Sequence, residues 1–142
     1  MFVKRIEIRW RDLDGFGHVN NSTYLTYLEE ARDELLTRLL GDTVHRVVIR
    51  RIEIDFDSGL TQEDDEVDVE VRITAVGRTS IGMSERIVSA ADGRVSATAE
   101  TVMVHTDTTR VASAPWPPRA RAALEAAIAA QGPPPAPGAV GQ

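Results

Sequence analysis

One change of period organises this chain. Between Asn21 and Leu40 the apolar residues recur at steps of four and three: Tyr24, Leu28, Ala31, Leu35 and Leu39, with Leu25, Leu36 and Leu40 widening the stripe. That is one face of an amphipathic helix, about 30 Å long at 1.5 Å per residue. Asn20, Asn21 or Ser22 can cap its start through a side-chain oxygen. Gly41 suits its end, and Glu34 and Arg38 form a favourable pair one turn apart on the exposed side. Elsewhere the period is mostly two. Ile6, Ile8 and Trp10 alternate with Glu7, Arg9 and Arg11, the pattern of a half-buried strand. A helix this long in a chain of 142 residues has to be covered by whatever those strands build.

The strands after the helix are joined by short turns. Val44 to Asp57 is long and β-branched, but its phase changes: Val47 and Ile49 are odd, whereas Ile52, Ile54 and Phe56 are even. A bulge near Arg50 and Arg51 reconciles the halves. The acidic run Glu63 to Glu66 reads as a solvated loop. Val67, Val69, Val71, Ile73 and Ala75 alternate with polar residues up to a turn at Gly77-Arg78. Ser80 to Ala90 and Val95 to His105 form a hairpin across Asp92-Gly93. The expectation is an α+β domain, a long helix on a five-stranded antiparallel sheet, with its core at about 3–106. A short alanine-rich helix follows at about 118–130, completing one domain over 1–130; the Pro/Gly-rich residues 131–142 read as a disordered tail.

Composition removes several classes. There is no cysteine, which excludes disulfides, thiolate metal sites and cysteine nucleophiles. The net charge of −6 argues against a general nucleic-acid binder, although 15 of the 16 basic residues are arginine. His18, His45 and His105 lie far apart with no metal-ligand spacing, so no metal and no cofactor is expected. Gly15-Phe16-Gly17 lacks the third glycine of a dinucleotide loop, and there is no G-x-S-x-G elbow. No apolar run spans a membrane and no leader pattern is present, so a cytoplasmic protein without membrane partners is expected.

The densest polar cluster lies between the first strand and the helix: Arg11, Asp12, Asp14, Gly15, Gly17, His18, Asn20 and Asn21. Two readings are open from the residues alone. In one, Asp14 and the asparagines serve only as loop and cap residues. In the other, a carboxylate beside a helix N-terminus acts on a carbonyl that the helix N–H groups polarise.

The segment RDLDGFGHVNNSTYLTYLEEAR resembles the signature of the 4-hydroxybenzoyl-CoA thioesterase family of hotdog-fold acyl-CoA thioesterases: Asp12-x-Asp14, Gly17, a polar turn, then a helix with Tyr24 and the Glu-x-Ala-Arg run Glu29, Glu30, Ala31 and Arg32. The likeness continues through VVIRRIEIDF and VGRTS. It implies a hotdog fold, a central helix wrapped by the sheet, and hydrolysis of an acyl-CoA thioester in which CoA belongs to the substrate. Asp14 is then the catalytic carboxylate, as general base or nucleophile. The helix start around Asn21 to Thr23 holds the oxyanion, and Asn20 or Asn21 positions water or the acyl group. Asp12 is structural. His18, Tyr24 and Glu30 are substrate-side candidates, Glu30 with the equally open reading of a solvated residue. Arg78, Thr79 and Ser80 match a segment that the resemblance places against CoA phosphates or pantetheine, against the alternative of a plain turn. DFDSGLTQEDDEV departs from the family pattern: it has no proline, an early glycine and strong acidity. Alternatives are a thioesterase acting on an acyl-carrier protein and a non-catalytic acyl-CoA binding module. Unpaired sheet edges, together with the resemblance, imply a homodimer or homotetramer with its sites at the seam.

Overall fold

A computed structural model describes residues 1–134; the remainder of the expected tail lies outside the described residues. Strand β1 (Phe2–Glu7) leads through a 3-10 turn (Trp10–Asp12) to helix α1 (Asn21–Leu40). A second 3-10 segment (Gly41–Arg46) precedes β2 (Val47–Phe56), and a third (Gln62–Asp64) precedes β3 (Glu66–Val76). Then come β4 (Ser80–Ser89), β5 (Val95–His105) and helix α2 (Pro118–Ala130). The five strands form one antiparallel sheet in the order β1-β3-β4-β5-β2.

The inner face of the sheet is what alternation demands. Val67, Val69, Val71 and Ile73 of β3 and Ile81, Met83 and Ile87 of β4 are buried against Tyr27, Leu28, Ala31 and Leu36 of α1. The helix runs as the period indicates. Asn20 caps it, its Oδ1 accepting the Ser22 N–H at 2.9 Å. Gly41 ends it at φ +56, its N–H returning to the Thr37 carbonyl.

Several expectations are corrected. β1 stops at Glu7, because the Asp12 carboxylate accepts the Arg9 N–H and winds the chain into a 3-10 turn. Trp10 is therefore 83% exposed instead of sharing the face of Ile6 and Ile8. Leu25 is exposed, and its place in the helix stripe is taken by Tyr27 and Arg32, two residues with polar ends. β2 begins at Val47, since residues 41–46 are 3-10. Its bulge falls at Arg50, where the register against β5 slips between Ile49 and Arg51. A second slip, between Ile73 and Ala75, turns Ala75 outward. Beyond the reach of β1, the Gln131 side chain substitutes for a strand, accepting the Ile73 N–H at 2.7 Å and donating to its carbonyl at 2.9 Å.

One ion pair crosses the core. Arg32 of α1 donates through Nη1 to Glu85 Oε2 of β4 at 2.9 Å, and the Thr101 hydroxyl of β5 donates to the other carboxylate oxygen. All three residues are at most 2% exposed. Stripping one partner from such a pair leaves a desolvated charge, at a cost of roughly 3–5 kcal/mol. Glu85→Ala is expected to lose stability on that scale in urea denaturation. Replacing both residues, Arg32→Met with Glu85→Leu, is expected to recover most of the loss.

Candidate active site

The loop from β1 to α1 is folded by its own polar side chains. Its ends are joined by a bridge between Leu13 and Val19. The Asp14 N–H donates to the His18 carbonyl at 2.7 Å, and Gly17 turns the chain between them at φ +82, where a side chain is strained. Asp14 Oδ1 accepts two backbone N–H groups, from Phe16 at 2.8 Å and His18 at 3.2 Å. Its Oδ2 has no partner among the described residues.

Asp12 is the anchor beneath this loop. It is 8% exposed, and its Oδ2 accepts the Tyr27 hydroxyl at 2.7 Å and the Arg9 N–H at 2.9 Å. Burial, reinforced by the Asp12 carboxylate, pushes the Tyr27 phenol well above its ordinary range, so Tyr27 remains a donor. The Asp12 carbonyl accepts the Asn20 N–H at 2.8 Å, which fixes where α1 begins. At that start the Ser22 N–H goes to the Asn20 side chain and the Thr23 N–H to the Asn20 carbonyl. The Asn21 N–H has no partner among the described residues and is the donor left over.

The segment after β2 supplies an opposing wall. The N–H groups of Asp57 and Ser58 both donate to the Ser96 carbonyl, at 2.8 and 3.2 Å. The Val19 N–H donates to the Leu60 carbonyl at 2.8 Å, tying wall to loop. Arg94, next to the Asp92-Gly93 turn, holds the wall from behind. It donates to Ser58 Oγ at 3.0 Å, the Gly59 carbonyl at 3.1 Å and Asp64 Oδ1 at 3.0 Å. Tyr24 meets Phe56 edge-on at 5.1 Å, and its hydroxyl lies 3.0 Å from Ser96 Oγ.

Loop, helix start and wall enclose a cavity of about 420 Å³. Asp14, Val19, Asn20, Asn21 and Tyr24 line one side, and Phe56 to Gly59 the other. Of the residues expected at the site, this brings together Asp14, Asn20, Asn21 and Tyr24. Thr23 does not line it; its N–H is spent on Asn20 and its hydroxyl reaches toward the Asp12 carbonyl. His18 is exposed beside the loop, contributing its N–H to Asp14. Glu30 lies outside, 3.7 Å from the Arg9 guanidinium. Arg78, Thr79 and Ser80 form the β3–β4 turn, at the far end of β4 from the cavity, about 30 Å away by strand length. There the carbonyls of Arg78 and Ser80 accept the two N–H groups of Trp116, and the Thr79 carbonyl accepts the His105 N–H. The Arg78 guanidinium carries no ion pair among the described residues.

The wall residues Phe56 to Gly59 are the part that sequence reasoning missed. Their signal was the DFDSGL departure, the point where an edge strand ends in small and acidic residues. The acidic run is also not uniformly solvated. Asp64 is 8% exposed and bonded to the Thr61 N–H, Ser89 Oγ and Arg94. Among the described residues, no group of three or more His, Asp or Glu side chains is placed to hold a metal ion, and no helix is long and apolar enough to cross a membrane.

Comparison with known proteins identifies the family and the fold. The family model of the Thioesterase-like superfamily matches residues 8–124. A thioesterase from Thermus thermophilus, complexed with coenzyme A and zinc, is 32% identical, with a TM-score of 0.81 over 90% of this chain and 94% of that one. A predicted thioesterase from Bacillus stearothermophilus is 28% identical, with a TM-score of 0.79 over 89% and 96%. A hypothetical protein of Staphylococcus aureus in complex with CoA shares the fold at a TM-score of 0.85, over 96% and 89%, with only 12% identity. No curated protein matches the chain.

The Asp64 network makes a pH prediction. Burial pushes the Asp64 carboxyl up, but hydrogen bonds from Thr61, Ser89 and Arg94 outweigh it and hold the group below its ordinary range. The folded protein therefore binds this proton less readily than the unfolded chain, so its contribution is present above the ordinary carboxylate pKa and lost in acid. Asp64→Asn is expected to cost roughly 2 kcal/mol at neutral pH. That gap from the parent should shrink as pH falls below about 4. Urea denaturation at several pH values measures it, and a gap that stays constant into acid contradicts the assignment.

Proposed function

The chain belongs to the Thioesterase-like superfamily, and from that premise we propose that it is an acyl-CoA thioesterase, releasing free acid and CoA, of the 4-hydroxybenzoyl-CoA thioesterase type. The observation that carries this reading is the state of Asp14. One oxygen is immobilised by two backbone N–H groups and the other is unpartnered in a cavity that also contains the start of α1. Oδ2 can take a proton from the water that attacks the thioester carbon, or attack that carbon itself to give an anhydride that water then opens. In either route the carbonyl oxygen gains charge as the C–S bond prepares to break. The unpaired Asn21 N–H, with the positive end of the α1 dipole behind it, suits that oxyanion. The Asn20 side chain is committed to the cap, so Asn21 is the amide free to orient water or acyl group.

We further propose that the working unit is at least a homodimer. Among the described residues β2 pairs only with β5, and along this edge strand Val48, Ile49 and Phe56 are 37%, 44% and 51% exposed beside the charged Arg50, Arg51, Glu53 and Asp55. Two copies pairing antiparallel along β2 would satisfy that edge. Such pairing sets the Phe56 end of one strand beside the Val47 end of the other. The partner's β3–β4 turn, two strand spacings or about 10 Å from that end, then approaches this chain's cavity. This supports Arg78 as a phosphate contact in trans, although it is remote within its own chain.

Asp14→Asn preserves volume and the two N–H contacts but removes the charge. It is expected to fold normally and to lose acyl-CoA hydrolysis by roughly 10²- to 10⁴-fold; parental turnover would rule Asp14 out. Light scattering is expected to give two or four times the 15.5 kDa chain mass. Arg78→Ala is expected to raise KM more than it lowers kcat. In random dimers of Asp14→Asn and Arg78→Ala chains, the shared site predicts recovery of about a quarter of parental activity at low substrate. A fully active monomer contradicts the seam.

A further inference from the structure

Asp57 is the second carboxylate lining the cavity, and neither the hydrolysis nor the seam uses it. It follows directly on the last residue of β2, and its backbone is pinned by the N–H bond to Ser96. Its side chain is exposed and makes no hydrogen bond or ion pair among the described residues. Among the described residues of this chain no cationic side chain lines the cavity. The guanidinium behind the wall, Arg94, is held by two acids, Asp64 at 3.0 Å and Asp92 at 2.6 Å, so its charge is more than matched locally. Among the described residues of this chain the one positive element facing the cavity is the start of α1, which the oxyanion occupies during hydrolysis, and the cation proposed to approach across the seam, the partner's Arg78, is assigned to the CoA phosphates and not to the acyl group. An acyl group entering here meets two carboxylates. Asp14 must stay charged to react, whereas the charge of Asp57 has no partner and acts only on what enters.

We propose that Asp57 is a charge filter on the acyl group: it admits neutral and cationic acyl thioesters and rejects acyl groups that end in a carboxylate. This rests on the cavity being the thioester site. It follows from repulsion at a partly hydrated position, where like charges a few ångströms apart still act on each other and bulk salt weakens the effect.

The test compares succinyl-CoA with butyryl-CoA, which share the CoA end and differ in one terminal carboxylate. The readout is the ratio of their kcat/KM values, so contributions from the CoA moiety cancel. The parent is expected to favour butyryl-CoA, and its ratio should move toward succinyl-CoA as ionic strength rises. Asp57→Asn is expected to shift the ratio toward succinyl-CoA by about tenfold, the scale of one nearby charge. Asp57→Glu, which keeps the charge, should retain the parental preference. An active enzyme whose ratio is the same in Asp57→Asn overturns the filter and leaves the thioesterase reading standing. If Asp57→Asn instead loosens the dimer with the ratio unmoved, Asp57 is a seam contact and the filter likewise falls. If the parent hydrolyses neither, the same ratio is read with benzoyl-CoA against 4-carboxybenzoyl-CoA, and a parent inactive on all four thioesters overturns both readings.

Discussion

The Arg32–Glu85 contact joins the middle of α1 to the central strand β4, and Thr101 extends it to β5. Apolar packing alone lets a helix slide or rotate on a sheet at modest cost, because one methyl neighbour is much like another. A guanidinium with its one carboxylate in a dry interior has no equivalent second position. The axial placement of α1 is thereby set from its centre. Its first turn follows, and everything chemical in this protein is referenced to that turn: the Asn20 cap, the unpaired Asn21 N–H and the loop that carries Asp14.

Around that reference the cavity is assembled from pieces remote in sequence but short in bonds. Asp12 fixes the floor through Tyr27 and Asn20. Ser96 and Arg94, on the β4–β5 hairpin, hold the wall at Asp57 to Gly59. The division of labour between the paired aspartates is a matter of burial. Asp12 is enclosed and its Oδ2 ties down the Tyr27 hydroxyl and the Arg9 N–H, whereas Asp14 is half-exposed and lines the cavity. Two residues apart, the same side chain becomes structural in one place and available for reaction in the other.

The elements that could be read from the sequence are those governed by local periodicity. The extent of α1, the β2 bulge, the β4–β5 hairpin and the antiparallel order all follow from spacing and turn residues. The misreadings share another cause. Tyr27, Arg32 and Asp64 look polar in sequence, yet each is buried because a partner arrives from another element: Asp12, Glu85 and Arg94. Trp10 looked like a strand residue because alternation is blind to the Asp12 carboxylate that ends the strand. That Asp14, Asn21 and Tyr24 lie together on one side of a cavity was legible because loop and helix start are contiguous. The wall opposite them was not, since its position is dictated by Arg94 and Ser96 more than thirty residues further on. Arg78 lies at the far end of β4 from the cavity, and only the proposed pairing of two copies would bring it near.

The two free edges of the sheet are unlike. β2 is ten residues long, with exposed Val48, Ile49 and Phe56 among the charges of Arg50, Arg51, Glu53 and Asp55, whereas β1 is six residues long and its Lys4 and Arg5 are engaged by Glu34 and Asp68. A symmetric pairing along β2 consumes the sticky edge of both copies at once and turns two guarded edges outward. Growth by strand addition then has nowhere to continue. In the proposed dimer the assembly would be finite by construction, and the edge that would invite strand addition in an isolated chain would be spent in closing it.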